Sequence, residues 1–120
     1  GINEDLILMN SKGNRDFFDL GNSRGTPNDI PVLNSPAALQ MVHSWSLQDP
    51  SNNQTVGGRW LNHGVYAYIG SSHEPMLGAF VPPAELTRRL SMLVPFLVAG
   101  RWWDGQGPFS KTWRINWLIF

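Results

Sequence analysis

A chain of 120 residues sets one domain as its ceiling, and its nine basic and nine acidic residues cancel. That balance removes the charge excess through which nucleic acid or an anionic membrane surface is recognised. The absence of cysteine excludes disulfides, thiolate metal sites and a cysteine nucleophile from this segment.

No apolar run reaches the length of a membrane span, because Arg88, Arg89, Arg101 and Asp104 interrupt the apolar C-terminal third. The chain opens on Gly1 and closes on the apolar run Trp117 to Phe120. Both ends read as cuts, so the expectation is a piece of a larger protein with other domains. Residues 1–120 then form one partial domain.

Leu6 to Met9 is a short apolar run that predicts a buried strand. Asn10, Ser11, Lys12, Gly13 and Asn14 follow as its polar exit loop. From Arg15 to Asn34 no helical period is visible. Gly21, Gly25, Pro27 and Pro31 punctuate a long loop, which Phe17, Phe18 and Leu20 would anchor to the core. Ala37 to Val42 predicts a second strand. Thr55 is placed to cap a short helix running to Leu61, with Gly64 just beyond its end.

Val65 to Ile69, β-branched and aromatic without charge, predicts a third strand buried on both faces. It opens through Gly70 into Ser71, Ser72, His73 and Glu74 before Pro75 stops it. Pro83 to Leu93 predicts a helix with Leu86, Leu90 and Leu93 on one apolar face, and with Arg88 and Arg89 outside it. Phe96 to Ala99 is a fourth short apolar run. Strands alternating with helices predict an α/β fold, three-layer, with a mostly parallel sheet and helices on both faces. The expected core includes Leu8, Leu39, Val42, Ala67, Ile69, Leu86, Leu90 and Val98. Trp102, Trp103, Trp113 and Trp117 are expected to cover one end of it.

Parallel strands place all their C-terminal ends on one edge. Lys12, His43, Ser44, Trp45, Ser71, Ser72, His73 and Glu74 should therefore gather there, although they lie far apart in sequence. One reading is a hydrolase with a Ser44 nucleophile, His73 or His43 as base and Glu74 as its orienter. The other is that these groups cap strand ends and satisfy loop backbone. His43, His63 and His73 show neither His-x-His nor His-Glu-x-x-His spacing, so no metal site is expected. No glycine-rich nucleotide motif is present, and no cofactor is expected.

The order of these pieces resembles the gingipain-type cysteine peptidases, within the caspase-like fold group. The likeness rests on the strand ending in Asn10, Ser11, Lys12 and Gly13, then Asp29 to Leu33. It continues through the strand ending in Ser44, Trp45 and Ser46, then Gly58 to Leu61 and Gly64 to Ser72. It covers roughly residues 5–80. In such enzymes the first strand ends in the catalytic His before a Gly, and the next ends in the nucleophilic Cys. Here Lys12 stands at the His position, and Ser44 or Trp45 at the Cys position.

Lysine is a poor base unless desolvated, and tryptophan is no nucleophile. The resemblance thus implies part of a caspase-like fold, and a catalytically degenerate relative of these peptidases. It also implies a cleft for a peptide or protein ligand, with His43, Ser71, Ser72, His73 and Glu74 as candidate binding residues. The alternatives are the Ser44 hydrolase and a non-catalytic module that binds a peptide or glycan. Family members are often exported, which implies an extracytoplasmic setting.

Overall fold

The computed structural model describes residues 3–73 and 80–101. Three apolar segments form one parallel sheet: β1 (Leu6–Asn10), β5 (Ala37–Val42) and β6 (Val65–Ile69). The strand order is β1-β5-β6, with Leu6 opposite Ala38 and Ala37 opposite Val65. All six residues of β5 are buried, as a central parallel strand covered on both faces requires. Even its one polar residue conforms. Gln40, fully buried, donates from Nε2 to the Val81 carbonyl oxygen at 2.9 Å and so ties β5 to the segment entering the next helix.

Lys12 to Leu20 does not form the expected exit loop and irregular excursion. A second, antiparallel sheet is built from β2 (Lys12–Asn14), β3 (Phe17–Leu20) and β4 (Ser23–Gly25). Leu20 pairs with Ser23, so Gly21 and Asn22 make a two-residue hairpin turn, with Gly21 at φ 61°. Of the three expected anchors only Phe18 is buried; Phe17 is half-buried and Leu20 exposed. A 3-10 turn at Pro27–Asp29 follows, where the Thr26 amide donates to Asp29 Oδ2 at 2.7 Å.

Helix α1 (Val56–Asn62) starts as expected, with Thr55 Oγ1 accepting from the Gly58 amide at 3.2 Å. Gly57 and Gly58 look like weak points, each costing about 1 kcal/mol of helix propensity relative to Ala. Packing explains them. A Cβ at Gly57 would strike the Ser46 carbonyl oxygen, and one at Gly58 the Asn52 carbonyl oxygen. The glycines let the start of α1 press directly against the loop leaving β5.

Helix α2 (Pro83–Ser91) is shorter than expected, and its buried face differs. Leu86 is fully buried and Leu90 half-buried, but Leu93 has left the helix at φ 64° and is 91% exposed. The third buried position is instead Arg89, 1% exposed. Its guanidinium donates to Glu85 Oε1 at 2.9 Å, to the Ala99 carbonyl at 2.9 Å and to the Arg101 carbonyl at 2.7 Å. A charged residue is buried here because a planar five-donor group meets several fixed acceptors at once.

The fourth apolar run is a helical turn, α3 (Phe96–Ala99), not a strand. Pro95 caps it, and the Ala99 amide donates to the Pro95 carbonyl at 2.8 Å. Four apolar residues carry no period long enough to separate the two states.

The main core joins Leu39, Met41, Val56, Trp60, Val65 and Tyr68 to Phe18, Ile30 and Leu33. A smaller cluster holds Val81, Leu86 and Ala99. Of the expected core residues, Leu39, Val42, Ile69 and Leu86 are buried, while Ala67 and Leu90 are half-buried. Leu8 and Val98 are exposed, at 37% and 50%. Among the described residues β1 pairs with β5 alone, which leaves Leu8 on an edge; Val98 lies on the outer side of α3. The four C-terminal tryptophans lie outside the described residues. Among the described residues no helix is long and apolar enough to cross a membrane.

Candidate functional site at the sheet edge

The three parallel strands end side by side, and their exits are laced together by backbone. The Ser11 amide donates to the Val42 carbonyl at 3.1 Å, joining the end of β1 to that of β5. The Trp45 amide donates to the His73 carbonyl at 2.9 Å, and the Leu47 amide to the Ser71 carbonyl at 3.0 Å. The ends of β5 and β6 are thereby held together too. The exits of β1, β5 and β6 thus share one edge, while Lys12 itself begins β2 of the second sheet.

The side chains divide into distinct groups. Lys12 is exposed on β2, opposite Asp19 of β3. Asp19 is itself paired with Arg24 at 2.8 Å, and that hydrogen bond holds its carboxyl below the usual range. Ser44 is half-buried, and among the described residues no hydrogen bond joins its hydroxyl to His43 or His73. Ser71 is fully buried; its hydroxyl donates to the His73 carbonyl at 2.9 Å and accepts from the His73 amide at 3.1 Å. Ser72 Oγ lies 2.7 Å from His73 Nδ1. Ser71 and Ser72 thus shape the turn after β6. Glu74 lies outside the described residues.

Trp45 departs from ordinary backbone geometry. At φ 64° it occupies the left-handed region, which costs a bulky residue about 1–3 kcal/mol. The bond from its amide to the His73 carbonyl holds it there, and its ring lies against the His73 imidazole, centroids 5.4 Å apart and tilted by 43°. Trp45 lines a cleft of about 440 Å³ with Asn14, Arg15, Asp16, Phe17 and Gln48. Arg15 reaches towards Gln48 Oε1 at 3.3 Å. The Arg24 guanidinium covers one face of Phe17, 4.0 Å from the ring centroid. The cleft is open to solvent and mostly polar, with aromatic surface beside amide, guanidinium and carboxylate groups.

His43 is the most tightly held of these groups. It is 3% exposed, and the loop after β1 wraps its imidazole edge. Nε2 lies 2.7 Å from the Asn14 carbonyl oxygen, which can only accept, so Nε2 carries the proton. Nδ1 then accepts from the Ser11 hydroxyl at 2.8 Å. Gly13 sits between these two contacts, and a Cβ there would clash with the ring and with the Phe17 carbonyl. Ser11 and Asn14 are the residues that sequence reasoning passed over. The signal was their position flanking Lys12 and Gly13 at a strand exit.

Burial pushes the His43 pKa below the usual histidine value, outweighing its hydrogen bonds. The folded chain therefore holds fewer protons than the unfolded chain between about pH 6.5 and the lowered folded value. This contribution is intact above about pH 6.5 and is lost as pH falls through that window. Urea midpoints measured from about pH 8 to about pH 5 should decline, and the decline should be shallower in His43→Gln.

No group of three His, Asp or Glu side chains is placed to hold a metal ion among the described residues. No protein-family description, curated protein or solved structure matches the chain.

Proposed function

We propose that this chain is a catalytically degenerate relative of the gingipain-type cysteine peptidases, part of a three-layer caspase-like domain. Its cleft binds a peptide or protein segment without cleaving it. The observation that carries this reading is the state of the two matching positions. Lys12 is exposed beside a carboxylate, without the burial that a lysine base requires. Ser44 lacks a hydrogen bond to either nearby imidazole among the described residues, and Trp45 offers only an aromatic face. Thiol-peptidase chemistry needs a nucleophile and an imidazole within reach of one another.

The strand order supports the fold part of the proposal. The neighbouring parallel strands β1 and β5 end at Asn10 and Val42, each just before one of the matching positions, which is compatible with the resemblance. The cleft beside Trp45 supports the binding part. Incubation of the purified chain with a peptide library should give no cleavage above background, while peptides that bind should protect from quenching the part of the tryptophan fluorescence that Trp45→Phe removes. Robust cleavage abolished by Ser44→Ala would replace this reading with the serine hydrolase.

A further inference from the structure

The contacts around His43 form a complete chemical unit separate from the positions matched to the peptidases. A hydroxyl, Ser11 Oγ–H, points its proton at an imidazole nitrogen 2.8 Å away. The opposite ring nitrogen donates to a fixed carbonyl, that of Asn14, at 2.7 Å. Nucleophile, base and orienter stand in sequence, the arrangement that activates serine in hydrolases of unrelated fold. We propose that Ser11 and His43 form a nucleophile–base dyad that takes acyl groups from activated esters. Relative to the resemblance the parts are exchanged, with the imidazole on the second strand and the nucleophile on the first.

Three observations favour chemistry over a simple tie between strands. The tautomer is fixed by an acceptor-only partner, so Nδ1 keeps the lone pair a base needs. The ring is excluded from water and held neutral by burial, while Ser11 itself is only half-buried. Asn14, whose carbonyl orients the ring, also lines the cleft beside Trp45, so one member of the unit borders that cleft.

In the acylation step Ser11 Oγ attacks the ester carbonyl carbon and passes its proton to His43 Nδ1. The tetrahedral intermediate collapses with cleavage of the ester C–O bond, and the leaving alkoxide or phenoxide takes the proton from Nδ1. Water then attacks the acyl-serine, again losing a proton to Nδ1. That proton returns to Ser11 Oγ as the carboxylic acid leaves. The orienter is a neutral carbonyl rather than a carboxylate, so the imidazolium gains less support than in a full triad. Good leaving groups are therefore the expected donors, and amides are not.

The test uses the intact chain and a fluorophosphonate probe, with the labelled residue mapped by mass spectrometry. Phosphonylation of Ser11 with loss of fluoride is the expected result, absent in Ser11→Ala and retained in Ser44→Ala. In His43→Gln the amide can accept from Ser11 and donate to Asn14, so the loop contacts survive while the base is gone. Labelling should then slow by about 100-fold. No labelling of the wild type, labelling at Ser44, or an unchanged rate in folded His43→Gln would each overturn the dyad. Mapping the wild type alone decides the first two, whatever the variants do. Peptide turnover plays no part here, so failure of the dyad leaves the degenerate-peptidase reading standing.

Discussion

Leu39→Ala should lower the unfolding free energy by about 2–5 kcal/mol, read as a shift in the urea midpoint at unchanged slope. Leu39 is completely buried at the centre of β5, between Ile7 of β1 and Tyr68 of β6. Its side chain joins the core that includes Phe18, Val56 and Trp60, so both sheets and α1 depend on the same packed volume. Truncation removes apolar burial and leaves a void that neighbours on two bonded strands cannot close. Leu8→Ala is the matched control. It removes the same atoms from the next residue along β1's ladder, but from a side chain 37% exposed, and should cost only a fraction as much. Equal losses at the two sites would mean that β5 is not the centre of the core.

The second large effect is expected at Arg89. Replacement by Ala strands the buried Ala99 carbonyl, takes a donor from the Arg101 carbonyl, removes a buried ion-pair partner from Glu85 and opens a cavity. The buried Ala99 acceptor left unsatisfied costs about 1–3 kcal/mol and the cavity adds to it, so a loss of about 2–4 kcal/mol is expected for the variant as a whole. Arg89→Met separates the contributions. It restores much of the volume but none of the donors, and should recover only part of the loss. The Glu85 carboxyl, held down to about 2 by Arg88 first and Arg89 second, should move upward in both variants, as an NMR titration would read.

How much of this was legible depended on whether the signal was local. Val65 to Ile69 and, with only Gln40 interrupting, Ala37 to Val42 read as strands because short apolar, β-branched or aromatic runs have few other uses at that length. Thr55 read as a cap for the same reason, since the residue and the bond it makes are three positions apart. The β2–β3–β4 meander was missed although Gly21 and Asn22 carry a hairpin signal. The surrounding glycines and prolines outweighed strands of only three or four residues.

Arg89 was misplaced because its burial depends on carbonyls ten and twelve residues away, which no helical period contains. The site was half legible. Parallel strand direction brought the exits of β1, β5 and β6 to one edge, but the partner of His43 proved to be Ser11, 32 positions away. Lys12 drew the reading through the resemblance to a family motif. Its neighbour makes the contact.

The central claim is that Lys12 and either Ser44 or Trp45 occupy the positions of a lost His–Cys pair. The direct measurement pairs Lys12→His with Ser44→Cys in one protein and with Trp45→Cys in another. Each is compared with its single cysteine variant for the rate of labelling by a peptidyl chloromethyl ketone. Because the chain has no cysteine of its own, all thiol labelling reports the introduced residue. In one of the two backgrounds Lys12→His should accelerate labelling by about 10²-fold or more, the usual scale of a positioned general base. That background also identifies which residue stands at the Cys position. If both folded double variants label no faster than their single-cysteine parents, the two positions do not face one another and the peptidase relationship is contradicted.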